Sequence, residues 1–321
     1  MASMKSDHRV LIYHHLPDYV DRYEQFIRKA REDLLLFPCK NEDQIDQAIS
    51  EAEIVFSGHM FPVIFFVKAK NLKWIQSMSA GIENFIQSKT IPSGVILTKI
   101  EGVFGPIMSE YVVGYILAIT QNMKKVFTNQ KDKIWQAFLV DSIRRKTIGV
   151  MGLGSIGAYI AYQLHLLGAE VIGFDEQAKK LPYLNQEYSS TEIEDFLGRS
   201  DFVVVTLPLT NKTKGILGEK ELKMMKKSAY LINISRGPII QEKALSSVLK
   251  KGLIGGAVLD VFDLEPLPKN HEFWEIENLI ITPHVSGPSI PEDISVIFLE
   301  NLKRLEQGKK LKGTIDRGRE Y

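Results

Sequence analysis

Short apolar runs alternate with charged, helix-periodic stretches from one end of the chain to the other, and this alternation constrains the fold more than any other feature. Over residues 1–105 the runs are Val10–Tyr13, Leu34–Phe37, Ile54–Ser57, Trp74–Met78 and Val95–Thr98, separated by segments such as Asp18–Arg31 and Asn41–Ala52. Buried strands alternating with amphipathic helices predict parallel sheets with helices on both faces. A helical stretch from about Ile107 to Lys133 follows, opened by Gly105-Pro106 and Ser109-Glu110. A second wound region begins at Lys146, with strands predicted at Thr147–Met151, Glu170–Phe174, Phe202–Thr206, Ala229–Ile234, Gly256–Leu259 and Leu279–Thr282. After Pro288 and Pro291 one more helix runs from Glu292 to about Glu306. The fold class is therefore α/β, with two doubly wound parallel-sheet domains, which 321 residues can build.

Composition narrows the partners. The chain is 45% hydrophobic and 25% charged, as soluble globular proteins are. Its 40 basic and 39 acidic residues leave a net charge of +1 and no dense basic block, so neither nucleic acid nor an anionic membrane is an expected partner. Lys309, Lys310, Lys312, Arg317 and Arg319 read as a solvated tail. Cys39 is the only cysteine, which excludes an intramolecular disulfide and a thiolate metal site. Met1 to Arg9 lacks the apolar stretch of a signal peptide, and no apolar run approaches the roughly 18 residues that span a bilayer. The expected location is the cytoplasm.

Ligands of open α/β sheets sit beyond the carboxyl ends of the strands. In the first region that rule singles out Ser57-Gly58-His59 and Ser79-Ala80-Gly81 as loops for a substrate. In the second it singles out Gly152-Leu-Gly154-Ser-Ile-Gly157, which follows the buried run Ile148–Met151 and opens a helix with Ile156, Ile160, Leu164 and Leu167 at helical spacing. Gly152 permits a tight turn, Gly154 lets the backbone approach a pyrophosphate, and Gly157 lets helix and strand pack closely. The helix N-terminus then offers free N–H groups and a positive dipole end to the phosphates. Asp175 closes the next strand, where its carboxylate can take the hydroxyls of an adenosine ribose. With Glu176 beside it, a 2′-phosphate would be repelled, so the expected cofactor is NAD.

Three further segments carry chemistry: Asn233-Ile-Ser-Arg236-Gly237, Leu259-Asp260-Val-Phe-Asp-Leu-Glu265-Pro266-Leu267 and Thr282-Pro283-His284-Val-Ser-Gly287. With the glycine motif and Leu207-Pro208-Leu209-Thr210 they closely resemble the D-isomer-specific 2-hydroxyacid dehydrogenases, a family that includes glyoxylate/hydroxypyruvate reductases and D-3-phosphoglycerate dehydrogenases. The resemblance is specific over about 145–287 and looser before that. It implies a catalytic trio of Arg236, Glu265 and His284. It implies a Rossmann cofactor domain, 106–287, and a discontinuous flavodoxin-like substrate domain, 1–105 plus 288–321, with the active site in the cleft between them. The cofactor-binding residues expected from these motifs are Gly152, Gly154, Ser155, Ile156, Gly157, Asp175, Leu207, Pro208, Ile234, Ser235, Arg236, Asp260, His284 and Gly287. Asp260 matches the position that meets the nicotinamide carboxamide. The substrate-binding residues are Ser79, Ala80, Gly81, His59 and Arg236, with Phe104 and Met108 as further candidates for the pocket wall. The family is commonly dimeric through its cofactor domains, so a homodimer is expected.

The residue chemistry leads to the same trio. Reducing a 2-oxo acid needs a hydride on the carbonyl carbon and a proton on its oxygen. Histidine suits the proton role because its unperturbed pKa lies near neutrality, and His284 follows a strand. Glu265 can bond its other ring nitrogen, fix the tautomer and favour the imidazolium. Arg236 offers a permanent planar charge to the substrate carboxylate and to the oxyanion that develops at the carbonyl. The expected activity is therefore interconversion of a small D-2-hydroxy acid and its 2-oxo acid, with a glyoxylate- or hydroxypyruvate-like substrate. Formate dehydrogenases carry glutamine where this chain has Glu265, and the phosphoglycerate enzymes often bear an added C-terminal domain. The alternative from another class is an NAD(H)-sensing corepressor-like scaffold, although the chain lacks long disordered extensions. His14-His15 reads as strand-end polarity rather than a metal pair, His165 as helix surface, and Trp135 as packing or interface.

Overall fold

The computed structural model describes residues 8–315. Arg317 and Arg319, and most of the segment before Arg9, lie outside the described residues. In chain order the first unit holds β1 (Arg9–Tyr13), α1 (Pro17–Ala30), β2 (Leu35–Cys39), α2 (Glu42–Ala48), β3 (Ile54–Ser57), β4 (Trp74–Ser77), α3 (Glu83–Gln87) and β5 (Ile96–Thr98). The second holds α4 (Phe104–Thr120), α5 (Met123–Lys131), β6 (Thr147–Met151), α6 (Ser155–Leu166), β7 (Glu170–Phe174), β8 (Gln186–Tyr188), α7 (Ile193–Arg199), β9 (Phe202–Val205), α8 (Glu219–Met224), β10 (Tyr230–Asn233), α9 (Glu242–Lys250), β11 (Gly256–Leu259) and β12 (Leu279–Ile281). The chain then returns to the first unit through α10 (Pro291–Glu306), and the division falls after Val103 and before Ser289.

The first unit is a five-stranded parallel sheet in the order β2-β1-β3-β4-β5, the flavodoxin-like winding. One face buries Leu11, Val55, Ile75, Phe61, Phe66 and Phe85. On the other, α10 lays Phe298 against Phe56 and Trp74, with ring centroids 4.5 and 5.4 Å apart. Burial of a polar group without a partner is costly, and the large polar side chains here are paired, while the buried Ser57 and Ser295 hydroxyls have no hydrogen-bond partner. The Trp74 indole donates to Thr98 Oγ1 at 2.8 Å, and Asn301 Nδ2 on α10 donates to Gln76 Oε1 at 2.9 Å. Asn301 also accepts the Lys312 N–H, which ties the segment after α10 to the sheet.

The second unit is a seven-stranded parallel sheet in the order β12-β11-β10-β9-β6-β7-β8. Counted from β6, that is the dinucleotide-binding order 3-2-1-4-5-6 with one strand added beyond the sixth. The winding reverses between β6 and β9, so a crevice opens beyond their carboxyl ends. Three expectations need correction here. β8 was not foreseen, because Gln186-Glu187-Tyr188 is a short polar edge strand bonded on one side only, to β7. The long helix predicted to Lys133 is two helices, because Asn122 adopts a left-handed φ of 54°, a conformation asparagine tolerates, and stands at the N-cap of α5. The helix expected over Asn41–Ala52 is also shorter: Asn41 caps it, its side chain accepting the Gln44 N–H, and it ends at Ala48.

His14 ends β1 inside a stack, its ring 4.4 Å from that of His15 and 4.8 Å from Tyr19, with Nδ1 accepting the Leu16 N–H. It is buried. Burial pushes its pKa down to about 4, and the neighbouring His15 adds to the effect. The unfolded chain therefore takes up this proton near pH 6.5 while the folded chain resists it, so stability must fall as pH drops from about 6.5 toward 4. His14→Gln is expected to flatten the pH dependence of Tm over that interval. The full effect is on the order of 3 kcal/mol. A slope unchanged from wild type would show that His14 does not carry it.

Candidate active site

The glycine turn after β6 is shaped by its own close backbone contacts. Gly152 has φ of 104°, and a Cβ there would sit 2.9 Å from the Leu207 nitrogen and the Thr206 carbonyl carbon. At Gly157 a Cβ would come within 1.8 Å of the Gly152 oxygen, so α6 packs on the turn with no room for a side chain. Thr206 Oγ1 donates to that same oxygen at 2.7 Å and binds the loop after β9 to the turn. Gly154 differs. A Cβ there would meet nothing within 4 Å, and its φ of −69° suits any residue. Neither backbone strain nor the chain's own packing requires glycine at 154. It leaves the backbone open to close approach from outside, and the first turn of α6 beside it, with exposed Ser155 and half-buried Ile156, has no capping side chain. These features fit a dinucleotide whose diphosphate lies against the backbone.

Asp175, just past β7, is joined to the same turn. Its carboxylate accepts the Leu153 N–H at 2.8 Å and the Gln177 N–H at 3.2 Å, and Lys179 Nζ lies 3.6 Å away. Glu176 is exposed and paired with Lys212 at 2.6 Å. Beyond β9, Leu207 is buried under the turn and Pro208 is exposed.

Three neighbouring strand ends assemble the remaining groups. After β10, Asn233 Oδ1 accepts the Ser235 N–H and hydroxyl at 3.0 and 2.9 Å, while Asn233 Nδ2 donates to the Arg236 carbonyl at 3.0 Å. The loop carrying Arg236 is thus held from within, with Ile234 and Ser235 buried and one guanidinium nitrogen donating to the Ser235 carbonyl at 2.6 Å. Gly237 then passes so close to the next loop that a Cβ would lie 2.0 Å from the Phe262 carbonyl carbon. In that loop Glu265 uses both oxygens: Oε1 accepts the Phe262 N–H at 2.9 Å, and Oε2 meets His284 Nδ1 at 2.7 Å. His284 follows β12 with φ of 53°, its N–H bonded to the Asp260 carbonyl at 2.9 Å.

The structure therefore brings Glu265 and His284 into contact and lays the Arg236 loop, backbone on backbone, against theirs. Asp260 shows a task that sequence reasoning missed. It is fully buried, and its carboxylate accepts the Val285 and Ser286 N–H groups at 2.8 and 2.9 Å and the Thr282 hydroxyl at 2.6 Å. What is visible of it is the organisation of the His284 turn. Asn233 and Gly237 were missed in the same way: both stand in a quoted motif, but only the three-dimensional contacts reveal their use. Phe104 and Met108 are buried, with the Met108 sulfur 3.1 Å from where a Cβ on Gly287 would stand.

Within the first unit, the two loops singled out by strand ends meet. His59 Nδ1 lies 3.4 Å from Ser79 Oγ, and Asn84 donates to the His59 carbonyl at 2.8 Å. The Ser79 N–H is already given to Ser77 Oγ at 3.0 Å, so that donor is spent within the loop. Among the described residues, no group of three or more His, Cys, Asp or Glu side chains is arranged to hold a metal ion, and no helix is long and apolar enough to cross a membrane.

Comparison with known proteins agrees with this geometry. Residues 113–286 match the family model of the D-isomer specific 2-hydroxyacid dehydrogenase, NAD binding domain. A glyoxylate reductase of Thermofilum pendens is 33% identical over 290 residues, covering 87% of this chain and 80% of that protein. The crystal structure of a D-isomer specific 2-hydroxyacid dehydrogenase family protein from Aeromonas salmonicida superposes with a TM-score of 0.91 at 32% identity, covering 97% of this chain and all of the other (100%). The NADPH-dependent glyoxylate/hydroxypyruvate reductase of Sinorhizobium meliloti, in complex with NADP and sulfate, gives a TM-score of 0.88 at 25% identity over 98% of this chain and 100% of its own. With the dinucleotide winding, the glycine turn and the Glu265–His284 contact already in place, the chain belongs to the D-isomer specific 2-hydroxyacid dehydrogenases and is an oxidoreductase that uses a nicotinamide cofactor.

Proposed function

We propose that this enzyme reduces a small 2-oxo acid of the glyoxylate or hydroxypyruvate kind to its D-2-hydroxy acid with NADH, and runs the reverse reaction with NAD. The 2.7 Å contact between Glu265 and His284 Nδ1 is the observation that carries this reading. With Nδ1 committed to the carboxylate, Nε2 is the nitrogen that exchanges a proton with the substrate oxygen. Arg236 binds the substrate carboxylate and stabilises negative charge on the carbonyl oxygen as it develops. Ala80 and Gly81 supply neutral backbone donors to the carboxylate, and His59 contacts the substituent on the far side. The bound nicotinamide supplies or takes up the hydride. Its diphosphate would lie on Gly154, Ser155 and Ile156, with Leu207, Pro208, Ile234, Ser235, Asp260 and Gly287 around the rest of the cofactor.

Asp175 supports NAD over NADP. A carboxylate fixed beside the glycine turn accepts ribose hydroxyls and repels a 2′-phosphate. The test is a panel of 2-oxo acids assayed with NADH and with NADPH. Glyoxylate and hydroxypyruvate should be turned over with NADH preferred, and Asp175→Ala should weaken NADH use and narrow the gap. A wild type that prefers NADPH would overturn the assignment.

The proposed state is a cytoplasmic homodimer. Residues 134–140 leave the end of α5, where Ile134 bonds to Asn129, and return at Asp141 to the end of α4. Trp135 and Leu139 on this excursion, and Phe127 on α5, are strongly exposed. Apolar surface of that kind marks an association site, and a second copy of the chain is the proposed occupant. The mass in solution by light scattering should be that of two chains.

A further inference from the structure

Behind the Glu265–His284 pair runs a second hydrogen-bonded chain that starts on α4. The Tyr111 hydroxyl lies 2.6 Å from Thr282 Oγ1, and Thr282 Oγ1 lies 2.6 Å from Asp260 Oδ1. The direction of the chain follows from the donors available. Asp260 takes the Val285 N–H on Oδ1 and the Ser286 N–H on Oδ2, and these groups can only donate, so its oxygens act as acceptors. Thr282 has one hydroxyl proton and gives it to Asp260. Tyr111 must therefore donate to Thr282. The order is Tyr111 O–H to Thr282 O–H to the Asp260 carboxylate, and it requires the tyrosine proton. Burial, the largest influence on Tyr111, raises its pKa and keeps that proton in place.

The far end of this chain is the turn that presents the acid/base. Asp260 holds residue 284 by its carbonyl and residues 285 and 286 by its carboxylate, and His284 stands there in left-handed backbone geometry. A non-glycine residue keeps such a conformation only where its surroundings determine it. We propose that Tyr111 is a positioning residue for hydride transfer: its hydroxyl fixes Thr282, Thr282 fixes Asp260, and Asp260 fixes the turn carrying His284. This rests on the reading of His284 as the proton donor. The tyrosine touches neither substrate nor cofactor in this account.

The test is a double-mutant cycle on the full-length enzyme with NADH and glyoxylate. Tyr111→Phe keeps the ring and deletes the donor, and loss of one neutral hydrogen bond corresponds to about a two- to tenfold fall in kcat. KM for NADH should stay within about twofold, because the glycine turn is untouched. Thr282→Val should cost at least as much, and Thr282→Ser, which keeps the hydroxyl, should restore most of the rate. The Tyr111→Phe/Thr282→Val enzyme should be no slower than Thr282→Val alone, since the tyrosine acts only through the threonine. If the two losses multiply, or Tyr111→Phe matches wild type, the positioning role is wrong. His284→Asn separates this from the parent reading: if that variant keeps wild-type kcat, His284 is not the acid/base and the proposal falls with it.

Discussion

Arg236→Lys is expected to lower kcat/KM for the 2-oxo acid by about 10²–10³, while NADH affinity changes far less. The substitution keeps the charge and removes the planar fork. A lysine ammonium reaches one oxygen at a time, whereas the guanidinium can hold the carboxylate and the developing oxyanion together. Loss of one preorganised donor to such an oxyanion costs about 2.7–4 kcal/mol. The backbone around residue 236 should survive the change, because Asn233 and Gly237 still hold that loop when the guanidinium's bond to the Ser235 carbonyl is lost. Steady-state kinetics beside a fluorescence titration with NADH measure both quantities. A large loss of NADH binding with normal turnover at saturation would place Arg236 on the cofactor instead.

Glu265→Gln should reduce kcat by about 10²–10⁴ in both directions, the range attributed to general acid–base catalysis. The reason lies in which group each oxygen meets: Oε1 accepts the Phe262 N–H and Oε2 meets His284 Nδ1. Glutamine has one oxygen. The backbone N–H cannot reverse its role, so the amide oxygen goes to Phe262 and the amide NH₂ turns toward His284. That forces Nδ1 to accept and puts the ring proton on Nε2, the wrong tautomer for taking a proton from a hydroxy acid. Reduction suffers as well, because the charge that stabilises the imidazolium is gone. Measured rates in both directions check this, and a variant slowed in neither would remove Glu265 from the proton chemistry.

Much of this architecture is legible in the sequence, and what is not has identifiable causes. The strands Ile54–Ser57, Thr147–Met151, Glu170–Phe174 and Gly256–Leu259 fall where the apolar runs place them. They are central or buried on both faces, so hydrophobicity alone marks them. β8 escaped because an edge strand of Gln, Glu and Tyr carries no such signal; its position is fixed by pairing with β7. The break at Asn122 was overlooked because the apolar spacing resumes in α5, although an asparagine is a residue that can turn a helix end. The site divides along similar lines. Gly152 and Gly157 are demanded by close backbone contact, Gly154 is not, and a motif reveals all three. Asp260 is harder to read, because nothing local in the sequence shows the three donors that its buried carboxylate accepts. Tyr111 lies 171 positions from Thr282, a separation no local pattern spans.

The central claim is that His284 delivers the proton in an NADH-dependent reduction, and a single-turnover experiment tests it most directly. Enzyme preloaded with NADH is mixed with glyoxylate, and cofactor oxidation is followed by absorbance for wild type and His284→Asn. The account predicts rapid oxidation by the wild type and a rate at least about 10²-fold lower for the variant, with both enzymes binding NADH alike. Equal rates would contradict it.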